Sequence, residues 1–322
     1  KRIGDWIVVA AALFSLYLAA ILPIHARLAE TAMIKHGKFA FLALWGMAIL
    51  FIVPTLHPTS AAPAVTKILL TPHRAIYDLR LSHSRGTRGI ESVRGRILYD
   101  FSGNACEGYK LQFRQVSELD SGEGKSTMSD LRSNTWENGS ATKFRFNSQN
   151  SLDDQPVDSV DGHAERKAKT VSVSLSKPKN KTFAIPPTAV FPTEHMRRII
   201  EAARAGKSLL EFPVFDGSES GDKVYNTLTV IGRAIRPGQK PPNDATATQP
   251  ILATLTRWPV TISYFEQESA KQQQTGEQTP TYAVSFELYE NGISRALRLD
   301  YADFSISGEM TSLDIKNSKP CP

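Results

Sequence analysis

Hydrophobic and polar side chains alternate along much of the chain with a period of two, as they do in half-buried β-strands. In residues 75–82, the side chains at positions 75, 77, 79 and 81 form one apolar face. Comparable runs occur at 95–101, 109–116, 142–146, 171–175, 209–215, 224–231, 260–265, 282–289 and 296–306. Clusters of Gly, Asn, Ser and Pro, which commonly end strands, separate these runs. The pattern predicts an all-β fold class with many antiparallel strands.

One β-hairpin is especially clear. Residues 282–289 and the run that begins at Ile293 flank Glu290-Asn291-Gly292, and Asn-Gly is the strongest short signal for a hairpin turn. Residues 237–250 and 267–280 are polar and rich in turn formers, so we expect mobile loops there.

Only one segment has the helical period. Its apolar face consists of Met196, Ile199, Ile200 and Ala203. We expect Thr193 to be the N-cap and Gly206 to end the helix in the left-handed conformation. The face that carries Arg197, Arg198, Glu201 and Arg204 could contact anionic lipid, but it is more typical of a solvated outer face. Many strands and one amphipathic helix predict a strongly curved sheet or open barrel, with the helix packed against it.

Two uncharged apolar runs lie near the start of the chain, at residues 6–24 and 39–56. The second reads as a secretory signal peptide over 33–61, because basic residues after Met33 precede the apolar run. Pro54 then breaks the helix, and the small residues that follow allow cleavage after Ala61 or Ala62. An uncleaved signal anchor is the alternative. The signal peptide predicts export to the periplasm.

The first apolar run has no place in a signal peptide. We expect residues 1–32 to be upstream sequence and Met33 to be the true start, with a membrane hairpin as the alternative. Beyond residue 62, no uncharged apolar run approaches the roughly 20 residues that span a bilayer. Residues 62–322 are therefore predicted to form a single β-rich periplasmic domain that touches the membrane only through the leader.

The charge balance gives no reason to expect a nucleic-acid partner. The formal net charge is +6, from 38 basic and 32 acidic residues. Residues 1–62 hold five of the basic and two of the acidic residues, so the domain keeps 33 against 30. No basic run with interleaved aromatic residues stands out.

The two cysteines, Cys106 and Cys321, both lie in the predicted exported domain. In an oxidising compartment such a pair is first read as a disulfide. Closing so long a loop contributes about 5 kcal/mol in the loop-entropy model, an upper figure. Neither cysteine has a second one nearby, so neither a CxxC redox motif nor a cysteine zinc site is present.

The remaining motifs do not support catalysis. Gly124-Lys125-Ser126-Thr127 resembles the end of a phosphate-binding loop, but position 119 is Leu119 where that motif needs a glycine. We expect a strand-connecting loop there. Residues 216–222 resemble a calcium loop but lack its last acidic ligand. No GxSxG elbow occurs, and His73, His83, His163 and His195 have no zinc-site spacing. We predict no catalytic, cofactor-binding or metal-binding residue, and no enzyme activity.

Three stretches resemble the EipB family of periplasmic cell-envelope integrity proteins. They are residues 75–109 (AIYDLRLSHSRGTRGIESVRGRILYDFSGNACEGY), 190–206 (VFPTEHMRRIIEAARAG) and 215–232 (FDGSESGDKVYNTLTVIG). The resemblance implies a β-spiral wrapped about a helix, with a hydrophobic cavity, similar in shape to the lipoprotein carriers LolA and LolB. It also implies a bridge between Cys106 and Cys321 and a role in maintaining the envelope.

Three functions remain open from the sequence. The leading hypothesis is a non-enzymatic periplasmic protein that binds a lipid or lipoprotein-like ligand in its cavity. The second is an interaction factor that docks periplasmic protein partners in envelope assembly and carries no ligand. The third is an enzyme acting on cell-wall or lipid substrates, whose catalytic groups would have to come together from distant positions.

Overall fold

A computed structural model describes residues 68–85, 90–122, 124, 126–266, 278–317 and 321. The predicted upstream segment (1–32) and signal peptide (33–61) lie outside these residues, as do positions 267–277 of the second polar loop. None of the helices within the described ranges is long and apolar enough to cross a membrane.

Within the described residues, fourteen antiparallel strands form one curved sheet. Their bounds are β1 His73–Ser84, β2 Ser92–Asn104, β3 Gly108–Asp120, β4 Ser126–Glu137, β5 Lys143–Leu152, β6 Gln155–Lys167, β7 Thr170–Lys177, β8 Lys181–Ile185, β9 Leu209–Val214, β10 Tyr225–Ile231, β11 Arg257–Glu266, β12 Tyr282–Tyr289, β13 Ser294–Tyr301 and β14 Phe304–Ile315. The order across the sheet is β8-β7-β6-β5-β4-β3-β2-β1-β14-β13-β12-β11-β10-β9. Consecutive strands are neighbours from β1 to β8 and from β9 to β14, and β1 pairs with β14 in the middle of the sheet. The two edge strands of the sheet are therefore β8 and β9.

The predicted fold class is confirmed, and each predicted run lies on at least one strand. The run at 296–306 is wrong as a single element, because residues 302–303 turn the chain between β13 and β14. The hairpin at 290–292 is confirmed, with Gly292 at φ 89°. Strands β4, β6 and β8 were not predicted. Ser126 and Thr127 begin β4, so the segment that resembles a phosphate-binding loop is only in part a connecting loop.

The amphipathic helix, α1 (Pro192–Arg204), joins the two free edges of the sheet. Ile199, Ile200, Ala202 and Ala203 are buried in the larger core cluster, together with side chains of β1–β3 and β10–β14. Gly206 follows the helix at φ 71°, as predicted. A second helix, α2 (Pro250–Ala253), has only four residues and lies at the end of the first polar loop.

The prediction that Thr193 caps α1 is wrong. The helix begins at Pro192, its N-cap is Phe191, and no side chain of the helix itself caps it. Glu137, at the end of β4, supplies the cap instead: its two carboxylate oxygens accept hydrogen bonds from the backbone N–H groups of Thr193 (2.8 Å) and Glu194 (2.9 Å). A carboxylate at this position also interacts favourably with the helix dipole.

Arg166, on β6, holds the segment that leads into α1. Its guanidinium donates to the carbonyl oxygens of Pro187 (2.6 Å) and Ala189 (2.8 Å) and forms an ion pair with Glu194 (3.0 Å). It also lies over the ring of Phe191, 5.0 Å from the centroid. One side chain thus satisfies backbone acceptors that the sheet does not reach.

A second, smaller hydrophobic cluster lies between β5–β8 and the residues that flank α1 and β9. Phe144 stacks on Phe191 with ring centroids 5.1 Å apart, and Phe146 contacts the edge of Phe215 at 5.6 Å. The same segment pairs with β9, because Val190 donates to Pro213 O and Phe215 donates to Val190 O. The entry to α1 is therefore fixed from both sides.

The first polar loop contacts the sheet through an ion pair and hydrogen bonds that the sequence did not predict, and its expected mobility stays a prediction. Asp244 forms an ion pair with Arg295 (2.7 Å), and both side chains are at most 10 % exposed. The carbonyl of Lys240 accepts from Arg257, and the amide of Gln249 donates to Leu313 O at 2.7 Å.

Cys106 and Cys321 are bonded through their Sγ atoms, with Cα atoms 5.8 Å apart. Cys106 lies in the turn between β2 and β3, where Asn104 Oδ1 accepts from its backbone N–H at 2.8 Å. Both cysteines are exposed. The bond ties the end of the chain to an early turn on the surface, at a sequence separation of 215.

We expect replacement of both cysteines, C106S with C321S, to lower the free energy of unfolding by up to about 5 kcal/mol, because the unfolded chain loses its long closed loop. Denaturant unfolding measures this loss. Reduction of the unchanged protein should give the same loss, and reductant should not affect the double variant. Two free thiols in the denatured, unreduced protein would contradict the bond.

Burial raises the pKa of Glu137 from 4.5 to about 7 in spite of its two hydrogen bonds, since only 1 % of the residue is exposed. The folded state then binds this proton more tightly than the unfolded state, so stability falls as the pH rises through this interval. Between pH 4.5 and pH 7 the fall from this group is about 3 kcal/mol.

We therefore expect Glu137→Gln to flatten the stability profile over this pH interval, since glutamine has no proton to lose. The matched control is Glu165→Gln at an exposed position on β6. Denaturant unfolding at several pH values compares the three proteins. Parallel profiles for the unchanged protein and Glu137→Gln would show that Glu137 does not titrate in this range.

Candidate functional site

An interior cavity lies between α1 and the inner face of the sheet. The space open to the centre of a water molecule is about 80 Å³. Its walls come from β1–β3, α1, β9, β11–β13 and the loop after β9. The lining residues are Tyr77, Ile97, Tyr99, Phe113, Pro192, His195, Met196, Ile199, Val214, Asp216, Ile262, Tyr264, Val284, Phe286, Ser294 and Leu297. The lining is mostly aliphatic and aromatic, with a few polar groups, which is typical of a small-molecule site.

The alternation of the strands positions this lining. On β1 and β2 the residues at 77, 97 and 99 line the cavity, and on β11 and β12 those at 262, 264, 284 and 286 do so. Successive lining residues are two apart because side chains of a strand alternate between its faces. The alternation could be predicted from the sequence alone. The register that brings distant strands together around α1 is seen only in the structure.

Tyrosine hydroxyls supply part of the polar lining. Tyr77 donates to Ser294 O at 2.8 Å. Burial raises the pKa of Tyr77, Tyr99 and Tyr264, so all three stay protonated and uncharged. Tyr264 stacks on Tyr282 with ring centroids 4.5 Å apart. The hydroxyls of Tyr282 and Tyr301 are buried, and no hydrogen-bond partner is found for either within the described structure.

His195 is the most unusual polar group of the cavity. It projects from the first turns of α1 and is only 4 % exposed, with its ring edge-on to Phe212. Its Nε2 atom is buried and has no hydrogen-bond partner among the described residues. Burial, aided by the charge of Arg198, lowers the pKa of His195 to about 4. The imidazole is therefore neutral at neutral pH, with one nitrogen that can donate and one that can accept.

A smaller cavity, of about 30 Å³, lies on the other side of the start of α1. Tyr99, Pro192 and Met196 line both cavities. The flexible side chain of Met196 is therefore part of the wall between them. Because Glu137 and Arg166 anchor this end of the helix, they also fix the shape of both cavities.

The predicted basic face of α1 is largely paired with acids. Arg198 forms an ion pair with Glu194 (2.5 Å) and lies over the ring of Phe212. Arg204 pairs with Glu290 at 3.1 Å. Arg197 is half-buried, and its charge acts on Glu137. Glu194 lies one turn before Arg198 on the same helix. Glu290, Phe212 and Glu137 come from other elements, so the sequence could not show those contacts.

The side chains of the segments that resembled metal or phosphate sites do not come together at one site. In the loop after β9, Glu219 pairs with Lys223 and accepts from Tyr225, whereas Asp222 pairs with Lys181 at 2.5 Å. Only Asp216 of this loop lines the cavity. Within the described ranges, no group of three or more His, Cys, Asp or Glu side chains could hold a metal ion.

The predicted disulfide residues and the cavity are separate features. Neither Cys106 nor Cys321 lines either cavity. The sequence reasoning did not identify His195 or the lining tyrosines as site residues. Two features of the sequence could have identified them. The tyrosines lie at inward positions of strands whose side chains alternate between the two faces. His195 directly precedes Met196, the first residue of the apolar face of the helix.

A wide, open groove of about 860 Å³ lies on the strands β1–β3, away from α1. Its lining mixes Arg80, Arg94 and Arg96 with Asp78, Glu91 and Glu118. Arg96 pairs with Asp78 at 2.8 Å. Charges of both signs on an open surface favour solvation, so the enclosed cavity at α1 is the stronger candidate site.

Comparison with known proteins is consistent with this architecture. The cell envelope integrity protein EipB of Brucella abortus is 39 % identical over 265 residues, which are 81 % of this chain and 91 % of that protein. A crystal structure from Brucella abortus, described as a beta-barrel-like protein of a domain of unknown function, superposes with a TM-score of 0.71 at 36 % identity. That match covers 78 % of this chain and all of the other.

The family described as EipB-like matches residues 64–317, which include all fourteen strands and α1. The chain belongs to the EipB-like family.

Proposed function

We propose that this protein acts without catalysis in the periplasm and maintains the integrity of the cell envelope by holding an apolar ligand, a lipid or a lipid-bearing molecule, in the cavity beside α1. The envelope role is inferred from the name of the relative in Brucella abortus. The ligand is inferred from the cavity. The single observation that carries the proposal is a mostly apolar space between α1 and the sheet, whose wall includes a histidine with a buried Nε2 atom that has no hydrogen-bond partner among the described residues.

The size of the cavity limits what it can hold. One water molecule needs about 10 to 15 Å³ of space measured in this way, so 80 Å³ has room for several groups of methylene size. That volume suits part of one acyl chain and is too small for a whole diacyl lipid. The smaller cavity beyond Met196 could lengthen the site if that side chain changed rotamer.

The apolar lining gives such a ligand its affinity. Each methylene that moves from water into the cavity contributes about 0.8 kcal/mol. Ile97, Phe113, Ile262, Val284 and Phe286 offer aliphatic and aromatic surface on opposite sides of the space. Several methylenes together contribute about 4 kcal/mol, which corresponds to millimolar affinity before the entropy cost of binding is subtracted. Tighter binding therefore needs contacts beyond the burial of a short chain.

We expect Leu297→Trp to abolish binding of the neutral apolar fluorophore N-phenyl-1-naphthylamine, because the larger ring fills the cavity from β13. The matched control is Leu209→Trp on β9, where the leucine is 60 % exposed and outside the cavity. Fluorescence titration measures binding, and thermal unfolding checks that both variants fold. Equal binding by the two variants would place the fluorophore elsewhere.

Cells that lack the gene provide the functional test. Leu209→Trp should restore resistance to detergents and bile salts, whereas Leu297→Trp should not. Full restoration by a folded Leu297→Trp protein would show that the cavity is dispensable. That result would instead favour the alternative, a factor that docks periplasmic proteins in envelope assembly and carries no ligand.

A further inference from the structure

We propose that the cavity selects for an uncharged polar group next to the apolar chain, such as a hydroxyl, ester or amide, and discriminates against a free carboxylate or phosphate. This inference rests on the proposed function, because it names the ligand chemistry of the same cavity. It depends on the charges around the cavity and on the neutral imidazole of His195.

No lysine or arginine is among the described residues that line the cavity. An anion inside it would have no cation to pair with. Burying an unpaired carboxylate costs several kcal/mol, which exceeds the gain from several buried methylenes. An anionic headgroup is therefore expelled from the cavity or keeps its chain from entering.

Most arginines on the elements that line the cavity are already paired with acids of the protein. On α1, Arg198 is held by Glu194. On β11 and β13, Arg257 and Arg295 both pair with Glu287. An incoming anion would have to displace a carboxylate from these three arginines. Arg197 has no ion pair among the described residues, but it does not line the cavity.

His195 does not supply a positive charge. It is neutral at neutral pH, because burial keeps its pKa low. As a neutral ring, it can form a hydrogen bond with a group that donates or accepts. Its buried Nε2 atom has no partner among the described residues. An unsatisfied buried polar atom costs about 1–3 kcal/mol. A hydroxyl or amide would recover that free energy if the ring turned its Nε2 atom toward the ligand, because the atom has less than 1 Å² of exposed surface.

The acidic residue of the lining also disfavours an anionic ligand. Asp216 lines the cavity, and its carboxylate accepts from the backbone N–H of Ser218 at 3.0 Å. Its negative charge raises the pKa of Tyr264 and Tyr282 further, beyond the effect of burial. The hydroxyls of these residues remain protonated. The polar lining thus combines neutral hydroxyls and imidazole with a carboxylate, a set suited to neutral ligands.

The experiment compares decanol with decanoate as competitors of N-phenyl-1-naphthylamine at pH 7.5, using the folded protein. The two competitors share a ten-carbon chain and differ in charge. We expect decanol to displace the fluorophore at a concentration at least ten-fold lower than decanoate does. Equal or tighter binding of decanoate would overturn the inference while leaving the proposed function intact. Failure of the fluorophore and of both competitors to bind would refute the proposed function itself.

Two variants at Met196 test the role of charge. Lysine is unbranched like methionine and only one atom longer, so Met196→Lys places a cation in the wall, and Met196→Gln is its neutral control. Decanoate should bind at least ten-fold tighter to Met196→Lys than to Met196→Gln, while decanol should not gain. Equal decanoate affinity in the two variants would overturn the explanation by charge.

His195→Phe tests the hydrogen bond, because phenylalanine retains a ring of similar size. We expect decanol to bind roughly ten-fold more weakly to this variant, with little change for N-phenyl-1-naphthylamine. An unchanged decanol affinity in the folded variant would show that the imidazole does not recognise the hydroxyl. A parallel loss for both compounds would show that His195 only shapes the cavity, which would equally overturn its proposed role.

Discussion

The buried carboxylate of Glu137 is the contact on which the rest of the architecture depends. It holds the first turn of α1, and α1 in turn spans the two free edges of a sheet that is not closed by hydrogen bonds. Without this anchor the first backbone N–H groups of the helix would be buried without partners. Arg166 does the same for the carbonyls before the helix. Together they determine how closely the helix approaches the sheet, and therefore how much space remains between them.

The strands and the helix could be predicted because their signals are local. Alternation in β1 and the turn at Gly292 need no knowledge of distant residues. Strand β4 was missed because its inner face is partly polar, with Ser129 among its buried positions. The cap of α1 was assigned to Thr193 because a nearby hydroxyl oxygen usually accepts the hydrogen bond from the first backbone N–H groups of a helix. The true partner lies 56 residues earlier in the chain, and sequence spacing carries no information about it.

The cavity, too, could not be predicted from the sequence, because the residues that form it lie far apart in the chain. Its lining is drawn from seven strands, a helix and a loop, and no short motif marks it. The sequence does place charged residues and apolar residues at different positions of these strands. Charged side chains on β11, β12, β13 and the first polar loop pair with one another, in the group formed by Arg257, Glu287, Arg295 and Asp244. The strand positions that line the cavity are aliphatic or aromatic, apart from Ser294. Ion pairs thus stabilise the surrounding framework and leave the space itself without a cation.

The pairing of β1 with β14 has a consequence for the order of folding. Among the described strands, β1 comes first in the chain and β14 last, and β1 pairs with both β2 and β14. Strands β1–β8 can each pair with a neighbour in sequence, but one edge of β1 stays open until β14 docks on it. An open edge of this kind invites pairing with other chains. Contacts between such distant parts of the chain form slowly, so chaperones that shield strand edges would act on this protein mainly during that interval.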